Sequence, residues 1–127
     1  MTPVEKLFAL EVTPPFDRLR EDELALIAEI ASARIYEPGD IVHHEHTAFN
    51  RIHILIKGAW MDDAGRPLPP VLGVESLLLG RVAQSRIVAA PDTGAQCLLI
   101  ERNHFFTIAL ECPELMLGLL EAPAPRS

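Results

Sequence analysis

The segment from Leu72 to Ala89, LGVESLLLGRVAQSRIVA, constrains this chain most. Gly73 is followed by a short apolar turn and then by a return strand, so two extended pieces must meet across a tight, glycine-opened bend. The chain before it carries the same kind of punctuation. Arg34-Ile35-Tyr36-Glu37-Pro38-Gly39-Asp40-Ile41-Val42 reads as a strand, a Pro-Gly turn and a second strand. Gly58 closes a third run, Ile52-His53-Ile54-Leu55-Ile56-Lys57. Between Gly58 and Gly73, Asp62-Asp63-Ala64-Gly65 is a turn signal and Pro67, Pro69 and Pro70 are strand breakers, so the strands flanking that turn should be short.

Helical signals surround these strands. In Glu21 to Ser32, Leu24, Ile27, Ala28 and Ala31 recur at helical spacing behind a start at Glu21 or Asp22. Asn103 is placed to cap a helix after the run Leu98-Leu99-Ile100, and Cys112-Pro113-Glu114-Leu115 opens another. Helices are expected near residues 4–10, 21–32, 104–110 and 114–121. Periodicity alone says only that the chain mixes α and β. With 127 residues and 49% hydrophobic content it can bury one substantial core, and a single domain over 1–127 is expected. No apolar run reaches the roughly 18 residues of a membrane span, and the N-terminus lacks a basic-then-apolar export signal, so no membrane partner and a cytoplasmic location are expected. Cys97 and Cys112 read as buried reduced thiols. A formal charge of −7, with Lys and Arg scattered rather than striped, argues against nucleic acid.

Taken in order, these pieces resemble the cyclic nucleotide-binding domain family. Arg34 to Val42 resembles the family's R-x-Y-x-x-G-E-x-I, Ile52 to Gly58 its L-Y-L-V-L-S-G, and Leu98 to Phe105 its L-L-V-L-D-R-E-D-F. Cys112 to Leu115 resembles H-P-E-L, and the stretch Leu72 to Ala89 resembles the phosphate-binding cassette F-G-E-x-A-L-L-x-x-x-P-R-x-A-T-V. The resemblance implies a mainly β fold: an eight-stranded, jelly-roll-like double-stranded β-helix barrel with flanking α-helices. It also places His53 on a family tyrosine, as a structural residue. In transcription factors of the catabolite activator type the domain continues into a dimerisation helix and a helix-turn-helix. Here a proline-containing tail from about residue 121 follows instead, with no DNA-binding domain expected.

The cassette resemblance keeps the shape and changes the chemistry. Without gaps, Leu72 and Gly73 fall on F-G, and Ser76, Leu77 and Leu78 on A-L-L. Val74 then stands where the family's glutamate receives a ribose hydroxyl. Val82 and Ala83 replace the proline and the arginine that pairs with the cyclic phosphate, and Gln84 stands where a small hydroxyl residue often helps. An arginine–phosphate pair is among the strong hydrogen bonds, and leaving a desolvated phosphate without it costs several kcal/mol. Sliding the register by one brings Glu75 onto the glutamate but Gln84 onto the arginine. Arg81 in the turn could reach inward only if the loop is remodelled, whereas Arg86, at an odd offset on a strand, points away. The candidate ligand positions are therefore Gly73, Val74, Glu75, Ser76, Ala83 and Gln84, read as a degenerate site.

Other chemistries fare less well. His44 and His46 resemble the H-x-H pair of the cupin family, a metal-binding barrel, but the position of the cupin glutamate is Arg51 and that of its later histidine is near Ser76. Two imidazoles fall short of the three protein ligands of a catalytic zinc site. No serine lies in a G-x-S-x-G context and neither cysteine has an activating partner in sequence, so no enzyme is expected. The expectation is a non-catalytic regulatory or protein-interaction module without cofactor or metal that has lost cyclic nucleotide binding. A remodelled cAMP or cGMP sensor and a cupin-like metal protein are the alternatives. Leu115-Met116-Leu117-Gly118-Leu119-Leu120 is apolar on more than one side of a helix, which points to a protein partner or a homodimer.

Overall fold

A computed structural model describes residues 1–121. Helix α1 (Pro3–Glu11), a 3-10 turn (Phe16–Arg18) and α2 (Glu21–Ile30) lead into β1 (Ser32–Tyr36), β2 (Ile41–His43), β3 (Arg51–Gly58), β4 (Trp60–Asp62) and β5 (Val71–Leu72). Then come α3 (Val74–Leu79), β6 (Ile87–Ala89), β7 (Ala95–Glu101), α4 (Arg102–Glu111) and α5 (Pro113–Glu121). The strands form two antiparallel sheets, β1-β7-β3-β5 and β2-β6-β4, wound as a jelly roll with helices to one side. The proline-containing tail expected from about residue 121 lies, apart from Glu121, outside the described residues.

The barrel holds seven strands among the described residues, not the eight expected. The missing pairing survives as isolated bridges, Ala48 to Val82 and Met61 to Pro67. Proline has no N–H to give a ladder, and Pro67, Pro69 and Pro70 keep this stretch from extending. The helix expected to run to Ser32 stops at Ile30, because Ser32 is already paired with Leu99 of β7. Asn103 is not a cap: α4 begins at Arg102 with Glu101 as its extended preceding residue, so Asn103 lies inside the first turn. Glu101 still ends β7, opposite Arg51 in the ladder.

Strands β3 and β7 are apolar on both faces because both are covered. Ile52, Ile54, Leu98 and Ile100 face a helix-side core with Phe16, Ile27 and Phe105. Cys97, Leu99 and Ala95 face a barrel core with Tyr36, Phe49 and Trp60. At Gly58, which ends β3, a Cβ would lie 2.2 Å from the carbonyl oxygen of Gly94, so only glycine lets these chains approach. Among the described residues no helix is long and apolar enough to cross a membrane.

Candidate functional site

The cassette is built from a strand end, a forced glycine and one and a half turns of helix. Leu72 and Val71 pair with His53 and Ile54 of β3, which fixes where the chain leaves the sheet. Gly73 follows with φ 102°, and a Cβ there would sit 2.5 Å from the carbonyl oxygen of Arg51. The apolar turn expected after it is a true helix, α3, closed by the left-handed Gly80. Ser76 is buried beneath this helix. Its hydroxyl accepts the backbone N–H of Phe49 at 2.9 Å and donates to the carbonyl of Arg81. Both hydrogen-bonding roles of the hydroxyl inside the cassette are thereby used on its own backbone.

The other candidate positions separate. Val74 packs with Leu77 into the helix-side core, 9% exposed, although it also edges the cleft described below. Glu75 points outward and meets the Arg81 guanidinium at 3.4 Å, with both side chains about two-thirds exposed. Arg81 is thus a solvated partner of Glu75 and stays at the rim. Ala83 is half-buried against the barrel core, and its backbone bonds Thr47 and His46 across the neighbouring loop. Gln84 is exposed at the cleft edge, and Arg86, also exposed, takes no part in the cleft.

Apart from Arg86, these positions border a cavity of about 920 Å³. Its remaining wall was not apparent in the sequence. Pro15 reaches it from just before the 3-10 turn and Arg18 from the turn itself, Phe49 from the loop before β3, Pro69 from the loop before β5, and Leu119 from α5. The loop is held by Trp60, whose indole N–H donates to the carbonyl of Pro69 at 2.8 Å. Gly118 lies so close to Pro15 that a Cβ would be 2.7 Å away, so α5 is locked onto the segment carrying Arg18. Leu119 is therefore a buried wall residue, and Leu117 and Leu120 are the exposed leucines of α5.

The histidines form no chelating pair of the kind strand alternation would produce. Strand β2 ends at His43, and His44 and His46 sit in the turn that follows, His46 with φ 59°. Among the described residues no group of three or more His, Cys, Asp or Glu side chains is placed to hold a metal. His43 instead stacks on Phe49 with ring centroids 3.7 Å apart. Phe49 meets His53 edge-on at 5.4 Å, and His53 meets Trp60 at 6.3 Å. His53 is 6% exposed with Nδ1 unpartnered, and burial pushes its imidazole down to about 4. Cys97 and Cys112 are both free and buried, and burial pushes each thiol up to about 11, away from nucleophilic reactivity.

No protein family and no curated protein matches the chain by sequence. Solved structures do match by shape. The regulatory domain of Toxoplasma gondii PKA with cAMP superposes with a TM-score of 0.76 at 11% identity, over 95% of this chain and 50% of that one. The regulatory subunit of a cAMP-independent protein kinase A from Trypanosoma cruzi, bound to guanosine, gives 0.72 at 18% identity, over 96% and 48%. The chain thus spans about half the length of these two. A cyclic nucleotide-binding-like protein from Brucella abortus gives 0.62 at 23% identity, over 84% of this chain and 98% of that one. Sheet order, cassette position and these superpositions together give the chain the cyclic nucleotide-binding domain fold.

Proposed function

We propose that this chain is a non-catalytic, cyclic nucleotide-binding-like regulatory module that acts through protein contacts and whose cassette does not hold a cyclic phosphate. One observation carries the reading: the buried cassette hydroxyl is spent on its own backbone, and no cation stands at the position of the cyclic phosphate. Ser76 is bonded to Phe49 and Arg81, Arg81 is turned to Glu75, and Val74 is packed into the core. A cyclic nucleotide would bring a ribose hydroxyl to Val74 and a full negative charge to Ala83. Burying that charge beside aliphatic side chains without a countercharge costs several kcal/mol. The regulatory role is supported by fold relatives that are themselves regulatory domains of kinases.

Calorimetric titration of cAMP and cGMP tests this. No saturable binding is expected up to about 1 mM, equivalent to roughly −4 kcal/mol or weaker. Guanosine, which carries no phosphate, belongs in the same series because a relative of this fold binds it. Submicromolar binding of either cyclic nucleotide overturns the reading and makes Glu75 and Arg81 the ligands to mutate first.

A further inference from the structure

We infer that the cleft between the cassette and α5 binds a small amphipathic monocarboxylate, its apolar body against the cassette wall and its carboxylate on Arg18. This rests on the reading that the cassette does not hold a cyclic phosphate, and it names what the vacated chemistry suits. Three observations lead to it. The cavity, about 920 Å³, has the size of a small-molecule site. Its wall is mostly aliphatic and proline, with Leu72, Val74, Val82, Ala83 and Leu119 offering apolar surface and no free donor or acceptor on their side chains. Desolvating an apolar body against such a wall is favourable in proportion to the area covered.

The polar groups then decide what the other end of the ligand must be. Five polar side chains border the cleft: Arg18, Glu75, Ser76, Arg81 and Gln84. Ser76 is spent on backbone groups, and Arg81 faces Glu75 at the exposed rim, so those two together bring no net charge to the cleft. That leaves Gln84, uncharged, and Arg18, which makes no ion pair among the described residues. Arg18 sits on the 3-10 turn, whose backbone is fixed by its N–H to Pro15 at 3.2 Å and by the packing of Pro15 on Gly118. One guanidinium carried on a fixed backbone at the edge of an apolar cleft matches one carboxylate, which it can take in bidentate fashion. A dianion would leave a second charge uncompensated, and a cation would meet Arg18 repulsively. Because Arg18 is exposed, the carboxylate stays at the rim, and only the apolar body enters.

The probes are octanoate and its uncharged analogue octanol, titrated into the full chain by calorimetry at low and at high salt. Octanoate should bind saturably with a dissociation constant on the order of 0.1 mM. It should bind at least about tenfold more tightly than octanol at low salt, and the difference should shrink as salt screens the pair. Arg18→Gln should remove that difference while leaving octanol unchanged, and Arg81→Gln should alter octanoate binding by less than about twofold. Ala83→Phe should fill the cleft and weaken both ligands by about tenfold or more. If that variant fails to unfold cooperatively, amide shifts of the unmodified chain serve instead: octanoate should move Val74, Gln84 and Leu119. Absence of octanoate binding up to about 1 mM, equal affinities for acid and alcohol, or an unchanged Arg18→Gln variant overturns the inference. Silence of octanoate together with silence of cAMP defeats this inference alone. Tight cAMP binding defeats the functional reading beneath it.

Discussion

At His53 a single imidazole couples the barrel interior to solution pH. The ring is buried between Phe49 and Trp60, and that burial, only partly offset by the Arg51 backbone and reinforced by the Arg51 and Arg34 charges, holds it neutral in the folded protein down to about pH 4. In the unfolded chain the same ring takes up a proton near its ordinary 6.5. The unfolded state therefore binds more protons as pH falls, and the stability this group contributes is complete above about 6.5 and is lost as pH drops toward 4. A displacement from 6.5 to about 4 corresponds to at most about 3 kcal/mol. Glu5, Glu23 and Asp62, each held below its usual value by backbone N–H groups of Thr2, Arg20 and Arg66, add losses in the same direction, but mainly below about pH 5. Denaturant unfolding between pH 7.5 and 5 should show stability falling with acidification, and His53→Phe should flatten that slope whatever its effect on stability at pH 7.5. An unchanged slope in the variant would remove His53 as the source.

At the scale of elements, the cassette is a short helix stapled to the loop before β3, and Ser76 is the staple. Ser76→Ala leaves the buried N–H of Phe49 without its acceptor, which should cost on the order of 2 kcal/mol. Glu75→Gln, which breaks only an exposed pair, should cost well under 1 kcal/mol. Thermal melts of the two variants give the comparison, and equal effects would mean that the staple is not what orders the cassette. Much of this element was legible in the chain: Gly73, the breakers Pro67 to Pro70 and the run closed by Gly58 each mark a local backbone event that one residue type enforces. The double bonding of Ser76 was not legible, since its partners Phe49 and Arg81 are set by how the loop folds over α3. Arg18 and Leu119 escaped for the same reason. They reach the cleft from segments far apart in the chain, and the packing of Gly118 on Pro15 ties those segments together. The pair His44 and His46 misled in the opposite sense: alternation would have aligned them on a strand, but β2 ends one residue earlier.

At the scale of the whole molecule, α5 has two apolar faces and only one of them is used. Leu115 and Leu119, one turn apart, are 2% and 8% exposed against the core and the cleft. Leu117 and Leu120, on the opposite side, are 59% and 60% exposed, and on α4 Leu110 is 86% exposed. A short helix gains nothing in water by presenting leucines outward, so this side is suited to covering by protein. Helix α1 repeats the pattern with Val4 and Phe8 four residues apart and Val12 just past its end, all more than half exposed, while Leu10 is fully buried. The distinction between the faces decides which variant tests association. Leu119→Asp would place a carboxylate in the wall of the cleft and unfold or distort the chain, whereas Leu117→Asp with Leu120→Asp alters only solvent-facing positions and should change stability by no more than about 0.5 kcal/mol per site. Sedimentation at micromolar concentration should therefore show the unmodified chain self-associating and the double variant monomeric, with the two melting at similar temperatures. An unmodified chain that sediments strictly as a monomer would exclude the homodimer and leave that face to a different protein.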